Sequence, residues 1–355
     1  MTQTRIIKVD PLNPAEDSIR IAADTLRAGG LAIIPTETVY GIAANALDEK
    51  AMQRLSEIKK RPEGKPFTLH IADKEKVEEF AAQVPVSAYK LLERFWPGPL
   101  TLVLKSKTAL GTVGLRMPDN EVALEVIGLA GIPVACPSAN LSGKPAPANF
   151  SEAIRDLEGL VDLALDAGDT KVGVESTVVD LTLTPLRVLR EGAIRKEEIE
   201  KAAGRKCILF ICTGNSCRSV MAKALLEKKL KDAHRQDVEV LSAGTMMLGG
   251  LGATEPTREL LAQDGIDVSG HVSKRATAGM VKKSDLILVM EKIHEERILE
   301  LVPEAKNRVF LLKEFAKIED TENLDIEDPI GRGADFYAET FEIIKEAIGR
   351  LVKSI

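Results

Sequence analysis

The chain has 355 residues, of which 45% are hydrophobic and 29% are charged, and its formal net charge is −6. This length and composition provide enough apolar surface for two ordinary domains with their own cores. Residues 1–200 carry 24 basic and 29 acidic side chains, and residues 201–355 carry 24 and 25. Neither part is strongly basic, which argues against broad binding of nucleic acid.

The cysteines and the N-terminus indicate a cytoplasmic protein. Four cysteines are too few for a disulfide scaffold, and none of the four histidines lies near a cysteine pair, as a metal site would require. The first eight residues lack the apolar core of a signal peptide, and no apolar run approaches membrane-spanning length. We therefore expect a cytoplasmic location, no membrane segment and no resident metal.

The first predicted elements place polar side chains after a buried strand. An amphipathic helix is predicted over 15–29 and a strand over 31–34. The strand leads into Pro35-Thr36-Glu37-Thr38-Val39-Tyr40-Gly41, where hydroxyls, a carboxylate and a phenol cluster. Such a cluster is typical of a small-molecule site, although a capped turn is the simpler interpretation of this stretch alone.

A cationic loop follows the next predicted helix, 49–60. Its sequence is Lys59-Lys60-Arg61-Pro62-Glu63-Gly64-Lys65-Pro66. Four cations in a loop that proline and glycine make irregular suit a polyphosphate, and the alternative is a solvated basic turn. A strand predicted over 67–71 carries His70, and one over 112–118 carries Arg116 among apolar residues. An inward arginine on a strand is usually paired with an anion or a ligand.

Five motifs within about residues 5–200 resemble, in order, those of the threonylcarbamoyl-adenylate synthase (YrdC-like) family. They are Pro35-Thr36-Glu37-Thr38-Val39-Tyr40-Gly41, Lys59-x-Arg61-Pro62, Trp96-Pro97-Gly98-Pro99-Leu100-Thr101, Pro137-Ser138-Ala139-Asn140-x-Ser142-Gly143 and Glu175-Ser176-Thr177-Val178-Val179-Asp180. The resemblance implies a twisted α/β domain that makes threonylcarbamoyl-AMP and pyrophosphate from L-threonine, bicarbonate and ATP. It also implies Mg²⁺ on the ATP phosphates, and tRNA-modification machinery as the consumer of the product.

The same resemblance assigns binding residues. It places Thr38, His70, Arg116 and Ser176 at threonine-binding positions. It places Arg61, Lys65, Thr112, Ser138 and Arg190 at ATP-binding positions. Ala146 departs from the family, which commonly has a serine there near the nucleotide. The alternative for this half is a module that only binds RNA or a nucleotide.

A charged stretch over 195–205 predicts the domain boundary, which gives domains over 1–203 and 204–355. Beyond it, strands and helices alternate. Strands are predicted over 207–211, 238–241, 286–290 and 308–312, and helices over 219–234, 257–263, 292–301 and 335–353. The alternation predicts a small doubly wound parallel sheet with helices on both faces.

The loop after the first of these strands carries the clearest chemistry, Cys212-Thr213-Gly214-Asn215-Ser216-Cys217-Arg218-Ser219. Backbone N–H groups between a strand and a helix N-terminus form an anion cradle, which favours the thiolate form of Cys212. Arg218 can hold two phosphoryl oxygens, and a thiolate beneath them is set for in-line attack and a phospho-cysteine intermediate. Ser219 would donate to the leaving thiolate, and Asn215 would hold the strained turn.

This loop and the distant Asp328-Pro329 resemble the low-molecular-weight protein phosphatase family over nearly all of 205–355. The resemblance implies that Cys212 is the nucleophile, Arg218 binds phosphate and Asp328 is the general acid, with no cofactor. Phosphoproteins are the implied substrates. Ser216 and Ile330 stand where tyrosine-phosphate members carry bulky apolar and aromatic residues, and they favour phosphoarginine slightly over phosphotyrosine.

Two other interpretations of the second half are weaker. Arsenate reductases of this fold relay oxidation through downstream cysteines, and no cysteine follows Cys217. A regulatory sensor without chemistry is disfavoured because Cys212, Arg218 and Asp328 are all intact. Cys217 is either a partner for a reversible disulfide that protects Cys212 or a small packing residue under the loop.

Overall fold

The computed structural model describes residues 3–60, 66–108, 111–246, 250–318 and 323–355. The chain divides into two compact units, residues 1–203 and 204–355. Within the described ranges, no helix is at once long enough and apolar enough to pass through a membrane.

The first unit is built on one mixed sheet. Its described strands are β1 (Arg5–Lys8), β2 (Ala32–Ile34), β3 (Gly41–Asn45), β4 (Leu69–His70), β5 (Ala81–Gln83), β6 (Leu100–Ser106), β7 (Thr112–Arg116), β8 (Val134–Ala135), β9 (Leu163–Asp166), β10 (Thr177–Asp180) and β11 (Arg187–Arg190). Hydrogen-bonded neighbours follow the order β1-β9-β2-β3-β8-β4-β7-β6-β10-β11, with β5 paired to β6. The parallel register of β4 and β7 sets His70 beside Arg116.

Helices cover both faces of this sheet. They are α1 (Glu16–Arg27), α2 (Glu49–Lys59), α3 (Val77–Phe80), α4 (Val86–Phe95), α5 (Glu121–Ala130), α6 (Phe150–Arg155) and α7 (Lys196–Gly204), with a 3₁₀ turn at Lys74–Lys76. Strand β2 shows the layering, because Ile34 packs with α1 and α5 while Ile33 packs with Leu55 of α2 in a second cluster. Successive side chains of the strand therefore pack into two hydrophobic cores, one on each face of the sheet.

Two strands of this unit are only two residues long. The strand predicted over 67–71 is reduced to β4, and β8 is equally short. The two pair with each other, and Pro133 and Pro137 flank β8. Proline has no N–H to donate to a ladder, so Pro133 and Pro137 take part only as acceptors, from the backbone N–H groups of Ala46 and Ile42.

The second unit has a four-stranded sheet in which every described pair is parallel. The strands are β12 (Lys206–Cys212), β13 (Val238–Gly244), β14 (Leu286–Val289) and β15 (Val309–Leu311), in the order β13-β12-β14-β15. The helices are α8 (Arg218–Asp232), α9 (Glu255–Gln263), α10 (Ala278–Lys283), α11 (Lys292–Leu301), α12 (Leu312–Phe315) and α13 (Ala334–Leu351), with a 3₁₀ turn at Pro303–Arg308.

Strand β12 is buried on both faces. Ile208 and Phe210 pack in a cluster with residues of α8 and α13, whereas Leu209 and Ile211 pack with Ile298 of α11 in another. This explains why the segment has no polar alternation in its sequence. The predicted small parallel sheet with helices on both faces is confirmed.

Candidate active sites

A cavity of about 560 Å³ lies against one face of the first unit's sheet. Residues Thr112, Gly114 and Arg116 alternate along β7 and all three line it, as the two-residue period of a strand requires. Six of the predicted site residues line this cavity: His70, Thr112, Arg116, Ser138, Ser176 and Arg190. Two others, Arg61 and Lys65, lie outside the described residues.

Arg116 is held by a buried network with Glu37 and Thr38. One guanidinium nitrogen, Nη2, donates to Glu37 Oε1 and to Thr38 Oγ1, each at 2.7 Å. The Arg116 and Glu37 side chains are 6% and 2% exposed, and Thr38 is fully buried. Thr38 therefore acts on the cavity through Arg116 and does not line it. Arg116 also lines the cavity, where a carboxylate would complete its coordination.

His70 is a buried, neutral histidine beside that arginine. Burial, together with the charge of Arg116, lowers the pKa of His70 to about 3. At neutral pH the imidazole is uncharged, and its buried Nδ1 has no hydrogen-bond partner in the described structure. The ring offers one nitrogen to a polar ligand group in the cavity.

Ser176 and Arg190 are joined at the opposite wall. Arg190 donates from Nε and Nη2 to the carbonyl of Ser176, at 3.1 and 2.9 Å, and from Nη1 to Glu175 Oε1 at 2.6 Å. The Ser176 hydroxyl contacts Thr101 Oγ1 at 2.9 Å. Arg190 and Glu175 are 42% and 41% exposed, so this pair is open to exchange with a ligand.

The sequence placed Lys59 in a cationic loop and Asn140 in a motif, but the family resemblance assigned neither of them a binding role. Lys59 Nζ donates to the carbonyls of Ser138 and Asn140, at 2.8 and 2.6 Å, and to Asn140 Oδ1 at 2.9 Å. Lys59 and Ser138 both line the cavity. Both motifs are visible in the sequence. Nothing in the sequence shows that the Lys59 ammonium group donates to the Ser138 carbonyl, 79 positions away.

Unpartnered buried atoms mark both candidate sites. In the described structure the buried side-chain nitrogens and oxygens without a hydrogen bond are Glu37 Oε2, His70 Nδ1 and Arg218 Nε. Buried polar groups are nearly always paired, so atoms left over are expected where a ligand supplies the partner. Two of these atoms belong to the first unit's site, and the third belongs to the loop of the second unit.

The loop of the second unit follows the carboxyl end of β12, which lies between β13 and β14 in the sheet. Cys212 is 2% exposed, and its sulfur is 3.0 Å from Ser219 Oγ and 3.3 Å from the backbone N–H of Asn215. Asn215 Nδ2 donates to Ser219 Oγ at 2.9 Å, which leaves the serine hydrogen for the sulfur. The Cys212 sulfur therefore lies within reach of two hydrogen-bond donors.

Asn215 fixes the loop from behind. Its φ is 53°, in the left-handed region that asparagine tolerates. Its side chain donates to Ser242 Oγ at 3.0 Å and accepts from Lys274 N at 2.9 Å, while its carbonyl meets His271 Nε2 at 2.7 Å. These contacts come from β13, through Ser242, and from the segment that contains His271 and Lys274. Residues distant in sequence therefore hold the loop in its shape.

Arg218 is completely buried and has two carboxylate partners. Nη1 donates to Glu291 and to the carbonyl of Ile326, and Nη2 donates to Asp328 and, at 3.1 Å, to Thr213 Oγ1. Asp328 is thereby brought to the loop from 110 residues away. Nε has no partner, which leaves one donor for a bound oxyanion.

Sequence reasoning also missed Glu291 and His294. His294 is fully buried, accepts the backbone N–H of Glu291 at Nδ1 (3.1 Å) and contacts Thr213 Oγ1 through Nε2 (2.9 Å). Burial lowers the pKa of His294 to about 4, with Arg218 and Arg297 acting in the same direction. Both residues begin an ordinary amphipathic helix, and no local signal distinguishes them from its other polar positions.

The four cysteines are free thiols. Cys217 is buried under the loop, where its sulfur contacts Thr254 Oγ1 at 3.3 Å and the hydroxyl of Tyr337 at 3.6 Å. Those contacts fit a packing role, and the Cys212–Cys217 disulfide stays a prediction. In the first unit, burial raises the pKa of Cys136 to about 12, so this cavity thiol is unreactive.

The two sites define a two-domain α/β protein with a ligand cavity in one unit and a cysteine-arginine anion loop in the other. The sequence profile of the Sua5/YciO/YrdC family, described as "Telomere recombination", matches residues 24–192. The profile described as "Low molecular weight phosphotyrosine protein phosphatase" matches residues 207–355.

Relatives of known name cover the first unit. The chain is 49% identical over 197 residues to a threonylcarbamoyl-AMP synthase of Pyrococcus abyssi, a match that covers 53% of this chain and 58% of the relative. It is 42% identical over 204 residues to the threonylcarbamoyl-AMP synthase of Bacillus subtilis, covering 55% and 59%. The matches thus span little more than half the length of these two curated relatives.

A solved structure extends the likeness. The crystal structure of P. abyssi Sua5 complexed with L-threonine aligns with 87% of this chain and 99% of its own, at 31% identity and a TM-score of 0.55. This chain belongs to the Sua5/YciO/YrdC family. It carries a threonylcarbamoyl-AMP synthase-like domain followed by a low-molecular-weight phosphatase domain, and both resemblances predicted from the motifs are confirmed.

Proposed function

We propose that the first unit makes threonylcarbamoyl-AMP and pyrophosphate from L-threonine, bicarbonate and ATP. The observation that carries this is the cavity in which six predicted threonine- and ATP-binding residues converge around unpartnered buried atoms. The threonine complex of the related Sua5 supports the choice of amino acid. The product would pass to the tRNA-modification machinery in the cytoplasm.

Each side chain has a role that its surroundings support. Arg116 would take the carboxylate of threonine, while neutral His70 and the Ser176 hydroxyl would meet its other polar groups. The threonine amine and bicarbonate would give a carbamate and water. A carbamate oxygen would then attack the α-phosphorus of ATP, and the bond to pyrophosphate would break. Thr112, Ser138 and Arg190, together with Arg61 and Lys65, would hold the nucleotide during this step.

Mg²⁺ would be held mainly by the ATP phosphates. The described residues that line the cavity include one carboxylate, Glu175, and it is paired with Arg190. Mg²⁺ commonly uses one or two carboxylates, several waters and the phosphates of the substrate. The donor set therefore fits a metal that arrives with ATP and neutralises its charge.

Pyrophosphate release tests the synthase. Purified full-length protein should release pyrophosphate from ATP only when L-threonine and bicarbonate are both present. Arg190→Ala should raise the KM for ATP, and Lys196→Ala, which alters an exposed helix position, should not. If the protein binds nucleotide or RNA but releases no pyrophosphate, the binding-module alternative replaces this proposal.

We propose that the second unit is a phosphatase that works through a phospho-cysteine. The observation that carries this is the contact of Arg218 with Asp328 beside a Cys212 sulfur that accepts two hydrogen bonds. The Cys212 thiolate would form a bond to phosphorus as the bond to the leaving group breaks, with Asp328 giving that group its proton. Water would then attack the phospho-cysteine, with Asp328 taking a proton, and release phosphate.

Phosphoarginine is the favoured substrate, and phosphotyrosine is the alternative. Ser216 is small, polar and 7% exposed, so the loop offers no bulky apolar wall at this position. Ile330, after Asp328-Pro329, is 53% exposed and aliphatic, so it cannot stack on a phenyl ring as an aromatic residue does.

Parallel turnover assays separate the two substrates. The full chain should hydrolyse phosphoarginine faster than phosphotyrosine at equal concentration. Ser216→Ile should lower phosphoarginine turnover and raise phosphotyrosine turnover, whereas Ser269→Ala, at an exposed turn, should change neither. Brisk phosphotyrosine hydrolysis with negligible phosphoarginine hydrolysis by the wild type would reverse the assignment. Cys212→Ser should abolish both activities.

A further inference from the structure

The hydroxyl of Thr213, directly after Cys212, accepts two hydrogen bonds. Arg218 Nη2 donates to Thr213 Oγ1 at 3.1 Å, and an arginine can act only as a donor. His294 Nε2 lies 2.9 Å from the same oxygen. If the histidine is also a donor, both acceptor positions of the hydroxyl are filled and its own hydrogen is left for a third group.

The direction of the His294 contact follows from its other ring nitrogen. The backbone N–H of Glu291 donates to His294 Nδ1 at 3.1 Å, so Nδ1 carries no hydrogen. The ring is fully buried. The charges of Arg218 and Arg297 oppose its protonation, and the charge of Asp328 favours it. A carboxylate oxygen of Glu291 lies 3.6 Å from Nε2. A neutral ring without a hydrogen on Nδ1 carries it on Nε2, which therefore donates to Thr213.

Thr213 belongs to the anion loop itself, directly after Cys212. Thr213 is half-buried, and the arginine nitrogen that contacts it also contacts Asp328. We propose that Thr213 donates its hydroxyl hydrogen to a phosphoryl oxygen bound in this loop, and that His294 is the positioning residue that sets the hydroxyl as a donor. The inference rests on the proposed function of the second unit and adds a side-chain donor to its oxyanion site.

The expected effect is measurable. A hydrogen bond to a charged acceptor contributes roughly 10- to 100-fold in affinity. Thr213→Val removes the hydroxyl with little change of shape, and Thr213→Ser keeps it. Thr340→Val is a matched control, because among the described residues the hydroxyl of this buried threonine bonds only to the carbonyl of Phe336 in α13.

The test is protection of Cys212 by inorganic phosphate against alkylation by iodoacetamide, followed by the mass of the Cys212 peptide in the full chain. The phosphate concentration for half-protection should rise roughly 10- to 100-fold in Thr213→Val. It should stay near the wild-type value in Thr213→Ser and Thr340→Val. A midpoint for Thr213→Val within twofold of wild type would overturn the proposal.

His294 is tested through its coupling to Thr213. His294→Leu should weaken protection, and His294→Gln, whose amide keeps an N–H near the Nε2 position, should restore most of it. In a Thr213→Val background, His294→Leu should add no further loss, because the hydroxyl that it orients is absent. Additive losses would show that His294 acts only on the fold, which removes it from the proposal.

The alkylation assay needs no turnover, so it separates the two claims. Phosphate protection that depends on Thr213, in a protein that hydrolyses neither phosphoarginine nor phosphotyrosine, would keep the oxyanion donor and remove the proposed activity. If the protein hydrolyses either substrate but its phosphate protection does not depend on Thr213, the proposed activity is kept and the oxyanion donor is removed. Absence of any phosphate protection of the wild type would overturn both.

Discussion

At the scale of residues, each candidate site is organised by one buried arginine. Arg116 is balanced by Glu37, and Arg218 by Glu291 and Asp328. A buried ion pair adds little net stability when intact, but removing one partner leaves an uncompensated charge. These carboxylates therefore preserve a cation in the place where a substrate anion is expected.

Glu37→Gln should damage the first unit in two ways. The loss of its carboxylate leaves Arg116 buried without a counter-charge, which should lower the free energy of unfolding of this unit by about 3 kcal/mol. It should also raise the KM for L-threonine several-fold, because the guanidinium is no longer held toward the cavity. Glu16→Gln, in an exposed pair with Arg20, is the control and should cost well under 1 kcal/mol. Equal effects of the two substitutions would refute this role of Glu37.

His70 should make the first unit sensitive to acid. Its pKa is about 3 in the folded protein, against 6.5 when unperturbed, so between these values the unfolded chain binds a proton that the folded chain does not. Stability is therefore full above about pH 6.5 and falls as the pH is lowered toward 3. Urea unfolding of the first unit at several pH values should show this loss, and His70→Asn should flatten it. His234→Asn, at an exposed position, should leave the profile unchanged.

At the scale of elements, strand β13 shapes the loop that follows β12. A Cβ added to Gly244 would lie 2.6 Å from the carbonyl oxygen of Thr213 and 3.0 Å from the amide nitrogen of Asn215. Gly244 is the last residue of β13. Because it has no side chain, the anion loop can pass across the end of this strand. Backbone atoms on both sides cannot move aside as a flexible side chain would.

Gly244→Ala should therefore reduce phosphatase turnover by more than tenfold while the other unit's pyrophosphate release persists. The contact is with the main chain of the loop, so the cost falls on the geometry around Cys212. Gly349→Ala is the control, since a Cβ there meets nothing within 4 Å in helix α13. That change should stabilise the helix by up to about 1 kcal/mol and leave turnover alone. Undiminished turnover in Gly244→Ala would contradict this account of β13.

Elements with a strong local pattern were predictable from the sequence, and contacts between distant segments were not. The apolar run of β12, the helix α8 and the loop between them appear where the pattern places them. The two-residue strands β4 and β8 have too little sequence to show a period, and each pairs with a segment far away along the chain. The sequence did not predict the site contacts of Lys59, Glu291 and His294. The partners in these contacts lie 79, 73 and 81 residues away, respectively.

At the scale of the whole molecule, each candidate site has its own network of hydrogen bonds among the described residues. The first unit's network joins residues between Glu37 and Arg190, and the second unit's joins residues between Cys212 and Asp328. No hydrogen bond described at either site draws on a residue of the other unit. The two chemistries should therefore be separable by mutation within one chain.

Cys212→Ser and Arg190→Ala test that separation in the intact protein. Cys212→Ser removes the nucleophile and should reduce phosphatase turnover at least 10³-fold, while threonine-dependent pyrophosphate release stays within twofold of wild type. Arg190→Ala removes a partly exposed side chain that we propose holds the nucleotide, and it should raise the KM for ATP about tenfold, with phosphatase turnover unchanged. Cys212 and Arg190 both pair within their sheets through main-chain atoms, so changing their side chains leaves the strand hydrogen bonds in place. If either variant lowered both activities in correctly folded protein, the two sites would be coupled, and the independence inferred from their hydrogen bonds would be wrong.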